Sequence, residues 1–116
     1  MSTINRQQSD ARLSRVVTHN GIAYLAGLTA DNVKAPIKGQ TEQILKKIDE
    51  LLALAGTNKS RLLSTLIYIT DMRLKAQMDE AWLAWIDPKN TPARACVETR
   101  LGAPDILVEI MVVAAT

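Results

Sequence analysis

The sequence predicts an α+β fold in which two helices pack on one face of a mixed sheet of four to six strands. Apolar segments typical of strands occur near both ends of the chain and again between two segments with helical periodicity. The predicted element order is therefore β-β-α-β-α-β-β. The length of 116 residues allows one domain, 1–116, with a single core.

The N-terminal half predicts a hairpin followed by a helix. Two strands, at residues 14–18 and 22–26, flank Asn20-Gly21, a pair that tolerates the positive φ of a tight turn. Residues 1–11 are polar and are predicted to precede the domain as an extension. Residues 31–39 predict a loop, and a helix is predicted over 40–55, because Gly56 is a natural left-handed stop.

The C-terminal half predicts a strand, a helix and two more strands. Residues 62–70 are rich in β-branched side chains, and Asp71 can cap the helix that follows and ends before Pro88. The apolar stripe of that helix consists of Leu74, Met78, Trp82 and Trp85. Residues 93–99 and 106–115 predict the last two strands, which are separated by a turn at Gly102.

Composition argues against several classes of protein. Fourteen basic and twelve acidic residues give a net charge of +2, and no Lys/Arg run exceeds two, so a nucleic-acid surface is not expected. One cysteine and one histidine exclude an internal disulfide and a His/Cys zinc cluster within one chain. The longest apolar run is six residues, and the first ten residues are polar. We therefore expect a cytoplasmic protein that does not insert into a membrane.

Two charged residues do not fit apolar strands. Burial of a lone carboxylate is costly, so Glu109 is predicted to face a polar cleft, to face water at an edge, or to pair with Arg100 or Arg94. Arg94 lies among alanines that leave space around its stem. It is either a carboxylate-binding residue or a solvated strand arginine paired with Glu98 or Glu109.

Three other polar residues have simpler interpretations. Cys96 is typical of a small buried hydrophobic residue, and no neighbour in sequence indicates an activated thiolate. His19 borders the hairpin turn and is expected to be exposed, and Asp79 is typical of a solvated helix charge. No chemical role is predicted from sequence pattern for these three residues.

Four segments carry a resemblance to a known family. They are Thr91-Pro-Ala-Arg-Ala-Cys-Val-Glu98, Val108-Glu109-Ile110, Asn20-Gly-x-x-Tyr-Leu-Ala-Gly27 and Leu66-Ile-Tyr-Ile-Thr-Asp71. Across residues 12–114 the chain resembles the Rid family, the reactive intermediate deaminases, also called the YjgF family. The resemblance implies a chorismate-mutase-like α+β fold, assembled as a homotrimer with ligand clefts between subunits.

The resemblance also implies a reaction and roles for residues. Family members hydrolyse 2-enamine or 2-imine acids to 2-oxo acids and ammonia, with no metal or organic cofactor. By this resemblance Arg94 clamps the substrate carboxylate, Glu109 holds or activates the attacking water, and Cys96 lines the pocket. The alternative from another class is a non-catalytic trimer that binds small carboxylates, or regulates a partner protein, through the same cleft.

The chain departs from the family pattern at the pocket walls. Deaminases of the family commonly carry a tyrosine where this chain has Leu13 and an asparagine where it has Asp79. Their Ser-Gly-Gln after the second strand is Ala26-Gly27-Leu28 here. Gly27, Leu13 and Asp79 are expected to bind the substrate. The departures are expected to leave the carboxylate clamp intact but to alter the pocket walls that select the substrate's other end.

Overall fold

The computed structural model describes residues 3–116, in which six strands form one mixed sheet. The strands are β1 (Asn5–Ser9), β2 (Ser14–His19), β3 (Ile22–Leu25), β4 (Leu62–Ile69), β5 (Ala93–Glu98) and β6 (Val108–Ala115). Their order across the sheet is β1-β2-β3-β6-β4-β5. Among the described strands, β4 and β5 form the one parallel pair, and β5 forms one edge of the sheet. The predicted α+β class with a mixed sheet is confirmed.

Two helices, α1 (Ile37–Leu54) and α2 (Lys75–Trp85), cover one side of the sheet and share its apolar core. The predicted start of α1 at Gln40 is wrong by three residues. Pro36 stands immediately before the first turn, where its fixed φ is tolerated and no N–H donor is needed. Gly56 has φ +80° and ends α1 as predicted. Within residues 3–116, neither helix is long and apolar enough to cross a membrane.

The entry into α2 differs in detail from the prediction. Asp71 accepts a 2.9 Å hydrogen bond from the backbone N–H of Arg73, so it caps a 3-10 turn, Met72–Leu74, that leads into α2. The helix ends at Trp85, before Pro88. Met78 and Trp82 of the predicted apolar stripe are buried in the core that the helices share with the sheet. This stripe fixes which side of α2 faces solvent.

The N-terminal strand β1 is absent from the predicted order. Asn5–Ser9 pairs antiparallel with β2, so these residues belong to the sheet and are not an extension. Their side chains are polar on both alternations and mostly exposed, which suits an edge strand but leaves no apolar period to detect. Residues 1 and 2 of the predicted extension lie outside the described residues. Strand β6 begins at Val108, two residues later than predicted.

The sheet has two unlike faces, because directly paired residues point to the same side. The helix face carries buried side chains, namely Val16, Leu25, Ile67, Ile69, Ile110 and Val112. The open face carries Tyr24, Leu66, Tyr68, Val97, Met111 and Val113, and neither helix found in residues 3–116 covers it. Tyr24 is 48% exposed and Met111 is 41% exposed. The open face is therefore apolar and accessible in the single chain.

Candidate functional site

Arg94 is fixed on the helix face at the edge of the sheet. It pairs with buried Thr65 in the β4–β5 ladder, which sets its side chain toward α2. Its Nη1 donates a 2.7 Å hydrogen bond to Asp79 Oδ1, and its guanidinium carbon lies 5.5 Å from the centroid of the Trp82 ring. The side chain is only 24% exposed. A cationic fork is thus held against α2 by one hydrogen bond and one cation–π contact.

Asp79 joins two cations. Its Oδ2 accepts a 2.8 Å hydrogen bond from Lys75 Nζ, while Oδ1 binds Arg94. Partial burial raises the pKa of Asp79, but the hydrogen bonds from Arg94 and Lys75 outweigh burial, so the net pKa is lowered. The side chain is 22% exposed, so Asp79 is a paired group and the interpretation as a solvated helix charge is wrong.

Neither predicted partner of Arg94 pairs with it among the described residues. Glu98 accepts a 2.7 Å hydrogen bond from the backbone N–H of Met72 and forms no ion pair with Arg94 among residues 3–116. Glu109 forms none with Arg94 either. Asp79, fifteen residues away along the chain, takes their place because α2 packs over β5.

Cys96 lies two residues after Arg94 on the same face. It pairs with Ile67, is half-buried and packs against the core. Burial raises the pKa of the thiol, although Arg94 and Lys75 act in the opposite direction. Burial thus acts against formation of a thiolate at Cys96. In the part of the chain that the structure describes, no three His, Cys, Asp or Glu side chains form a metal site.

Glu109 lies on the open face, opposite Tyr68 in the β4–β6 ladder. It is half-buried, and its carboxylate covers Gly27 so closely that a Cβ at position 27 would overlap Oε2. Within residues 3–116 no hydrogen bond or ion pair reaches this carboxylate, so the predicted pairing with Arg100 or Arg94 is not formed. Both oxygens of Glu109 remain available.

Leu13 lies in the turn between β1 and β2. Asp10 shapes this turn by accepting from the backbone N–H groups of Arg12 and Leu13 at 2.7 and 3.0 Å. Leu13 is 42% exposed and lies at the end of β2 that is nearest the end of β3 and Gly27. In one chain it is at the opposite edge of the sheet from Arg94.

Apart from Leu13, the predicted site residues divide into two groups. Arg94, Cys96 and Asp79 are together on the helix side, whereas Gly27 and Glu109 are together on the open side. Arg94 aligns with Thr65 and Glu109 with Tyr68, roughly 10 Å apart along the strand in addition to the thickness of the sheet. A site that contains both Arg94 and Glu109 requires the second group to come from another chain.

Comparison with known proteins identifies the family. The model of the family described as Endoribonuclease L-PSP matches residues 3–116. A RutC family protein from Haemophilus influenzae is 42% identical over 97% of this chain and 97% of its own length. The RutC family protein YoaB from Escherichia coli is 39% identical over 97% and 98% of the two chains. The chain belongs to the RutC/YjgF/Rid family.

Solved structures of the RutC/YjgF/Rid family share the fold. A YjgF-family protein from Neisseria meningitidis superimposes with a TM-score of 0.95 at 38% identity, covering 98% of this chain and 95% of its own. The Rid-family protein YyfA from Yersinia pestis gives a TM-score of 0.88 at 30% identity over the full length of both. The resemblance drawn from the sequence motifs is confirmed at the level of family and fold.

Two residues beside Arg94 and Asp79 in this RutC/YjgF/Rid protein were not predicted from the sequence to belong to the site. Lys75 donates a hydrogen bond to Asp79, and the Arg94 guanidinium lies over the Trp82 ring. The helical spacing of Lys75, Asp79 and Trp82 was the available signal, because residues three and four apart lie on one side of a helix. It could not show that Arg94 approaches that side.

Proposed function

We propose that this chain hydrolyses 2-imino and 2-enamino acids to 2-oxo acids and ammonia, in a cleft between subunits of a homotrimer. The observation that supports the proposal is the hydrogen bonding of the Arg94 guanidinium. One N–H of its fork binds Asp79, and within residues 3–116 the remaining N–H groups make no hydrogen bond. A guanidinium held in this way presents free donors to one carboxylate.

Water addition to an imine needs few catalytic groups and no covalent nucleophile from the protein. The C2 carbon of an iminium acid is electrophilic, so the reaction needs orientation and one proton acceptor. Water adds its oxygen to C2 of the iminium while Glu109 accepts one of the water protons. Glu109 then gives that proton to the carbinolamine nitrogen, and ammonia leaves with the C–N electron pair as the hydroxyl loses its proton to Glu109 and forms the C=O bond. An imine and a water thus become a 2-oxo acid and ammonia. The unpaired, half-buried Glu109 carboxylate suits the role of the acceptor.

A shared cleft follows from the division of the site between the two faces of the sheet. If the open face of one chain packs against a neighbour, Glu109 and Gly27 come to an interface together with the apolar side chains around them. A neighbouring edge strand that carries Arg94 then completes the site. The apolar open face supports such packing, because large exposed apolar patches mark interaction surfaces.

The mass in solution tests the assembly. The wild-type protein in solution is expected to have a mass of three times the 12.7 kDa of one chain. Met111→Lys places a charge on the open face and is expected to lower the mass, whereas Leu83→Lys, at a 72% exposed residue of α2, leaves it unchanged. Sedimentation equilibrium at micromolar concentration measures both. A monomeric wild-type protein contradicts the proposal.

A coupled assay tests the reaction. A dehydratase generates 2-iminobutanoate, and the rate of 2-oxobutanoate release is timed with and without this protein. Acceleration supports the proposed function. The alternative, a non-catalytic carboxylate-binding protein, is favoured by the departures from the family pattern at Leu13, Leu28 and Asp79. Absence of acceleration together with Arg94-dependent binding of 2-oxobutanoate decides for that alternative.

Gly27 provides a test of the position of Glu109. In Gly27→Ala the new Cβ displaces the carboxylate of Glu109, whose flexible side chain can move at little cost in stability. We expect turnover to fall by roughly tenfold or more, because misplacement of a catalytic group by about 1 Å has large effects. Gly102→Ala, where a Cβ meets open space, is the matched control. Equal turnover in the two variants contradicts the role of Glu109.

A further inference from the structure

Asp79 divides its two oxygens between two cations. A carboxylate and a guanidinium commonly form two parallel hydrogen bonds, which use both oxygens of the acid and two nitrogens of the arginine. Here Oδ1 accepts from Arg94 Nη1 at 2.7 Å and Oδ2 accepts from Lys75 Nζ at 2.8 Å. Lys75 therefore holds the oxygen that Arg94 would otherwise bind. The Arg94–Asp79 pair is left with a single hydrogen bond.

Lys75 is unfavourably placed for a residue that only stabilises its helix. It follows the 3-10 turn Met72–Leu74 near the N-terminal end of α2, where the helix dipole gives a positive charge no stabilisation. The lysine also precedes the acid in the i,i+4 pair, which is the less stabilising order. The Lys75 side chain is 41% exposed, so the pair contributes little to folding. Its geometry is better explained by its effect on Asp79.

We propose that Lys75 is a positioning residue that keeps the Arg94 fork open for a ligand carboxylate by holding the second oxygen of Asp79. The inference rests on the proposed function of Arg94 as a carboxylate clamp. Without Lys75, the Asp79 carboxylate rotates, accepts a second N–H from Arg94 and competes with the ligand. An asparagine at position 79 cannot do so, because its side chain has one acceptor oxygen.

A double-mutant cycle tests the inference by calorimetric titration of 2-oxobutanoate. Lys75→Met is expected to weaken binding roughly tenfold, because the ligand must displace one Asp79 oxygen from Arg94. Asp79→Asn is expected to bind at least as tightly as wild type, and Lys75→Met combined with Asp79→Asn is expected to match Asp79→Asn alone. Lys38→Met, which breaks the surface pair with Glu80, controls for removal of a lysine.

Rescue by Asp79→Asn separates positioning from a general role in folding or charge. If removing Lys75 weakens binding equally in wild type and in the Asp79→Asn variant, or if Lys75→Met shows no loss, the inference is overturned. If wild type itself does not bind 2-oxobutanoate, the proposed function of Arg94 fails.

A readout without ligand then still decides the inference. Crystal structures of wild type and Lys75→Met are expected to show one and two Arg94–Asp79 hydrogen bonds, respectively. A single bond in both structures overturns it.

Discussion

Replacing Arg94 with lysine is expected to lower kcat/KM for 2-iminobutanoate hydrolysis by about 30- to 1,000-fold. Lysine keeps the positive charge but loses the planar fork, so one flexible contact replaces a bidentate grip. Loss of such a charge-assisted pair in a cleft costs about 2–4 kcal/mol. The coupled assay, run with matched dehydratase concentrations, measures the change.

The matched control for Arg94→Lys is Arg73→Lys. Arg73 also pairs with an aspartate, Asp71, at 2.7 Å, but its side chain is 89% exposed. We expect that variant to retain wild-type kcat/KM. A rate for Arg94→Lys within about threefold of wild type contradicts a bidentate clamp.

Replacing Glu109 with glutamine is expected to reduce turnover by roughly 100-fold or more while leaving the affinity for 2-oxobutanoate close to that of wild type. Glutamine preserves the shape of the side chain over Gly27 but cannot accept a proton from water. The assay gives the rate, and calorimetry gives the affinity. This split between rate and binding is expected of a group that acts in the reaction step and not in binding.

Two outcomes contradict the role of Glu109. Undiminished turnover removes it as the acceptor, and an equal loss of rate and affinity makes it a binding group. Glu80→Gln removes a charge from a glutamate whose side chain is 63% exposed, so it is expected to change neither quantity. A pure carboxylate-binding protein gives no wild-type rate for Glu109→Gln to reduce.

Apolar periodicity was sufficient to predict most of the fold. Both helices and five of six strands follow from side chains that alternate or repeat against one core, and Gly56 marks the end of α1. Strand β1 could not be found in this way. It binds the sheet through backbone hydrogen bonds with β2 and carries a polar sequence, so its formation depends on a neighbour and not on its own pattern.

The sequence motifs proposed individual site residues but not how those residues are arranged. The motifs select Arg94 and Glu109, and Glu109 between buried Val108 and Ile110 must face away from the helices. Which face Arg94 takes depends on the register of β5 against β4, and its pairing with Asp79 depends on where α2 packs. Both the register and the helix packing are tertiary contacts between distant segments, and the local sequence pattern does not determine them.

Arg94 and Glu109 lie on opposite faces of one sheet, so a chain with Arg94→Lys and a chain with Glu109→Gln can complement each other in one cleft. If each cleft takes Arg94 from one chain and Glu109 from its neighbour, an Arg94→Lys chain still offers an intact Glu109, and a Glu109→Gln chain an intact Arg94. The two variants can be unfolded together and refolded as an equal mixture. About a quarter of the clefts are then expected to contain both an intact Arg94 and an intact Glu109. Two preparations that are each nearly inactive would then yield an active one, an outcome closed to any enzyme whose catalytic groups all lie within a single chain.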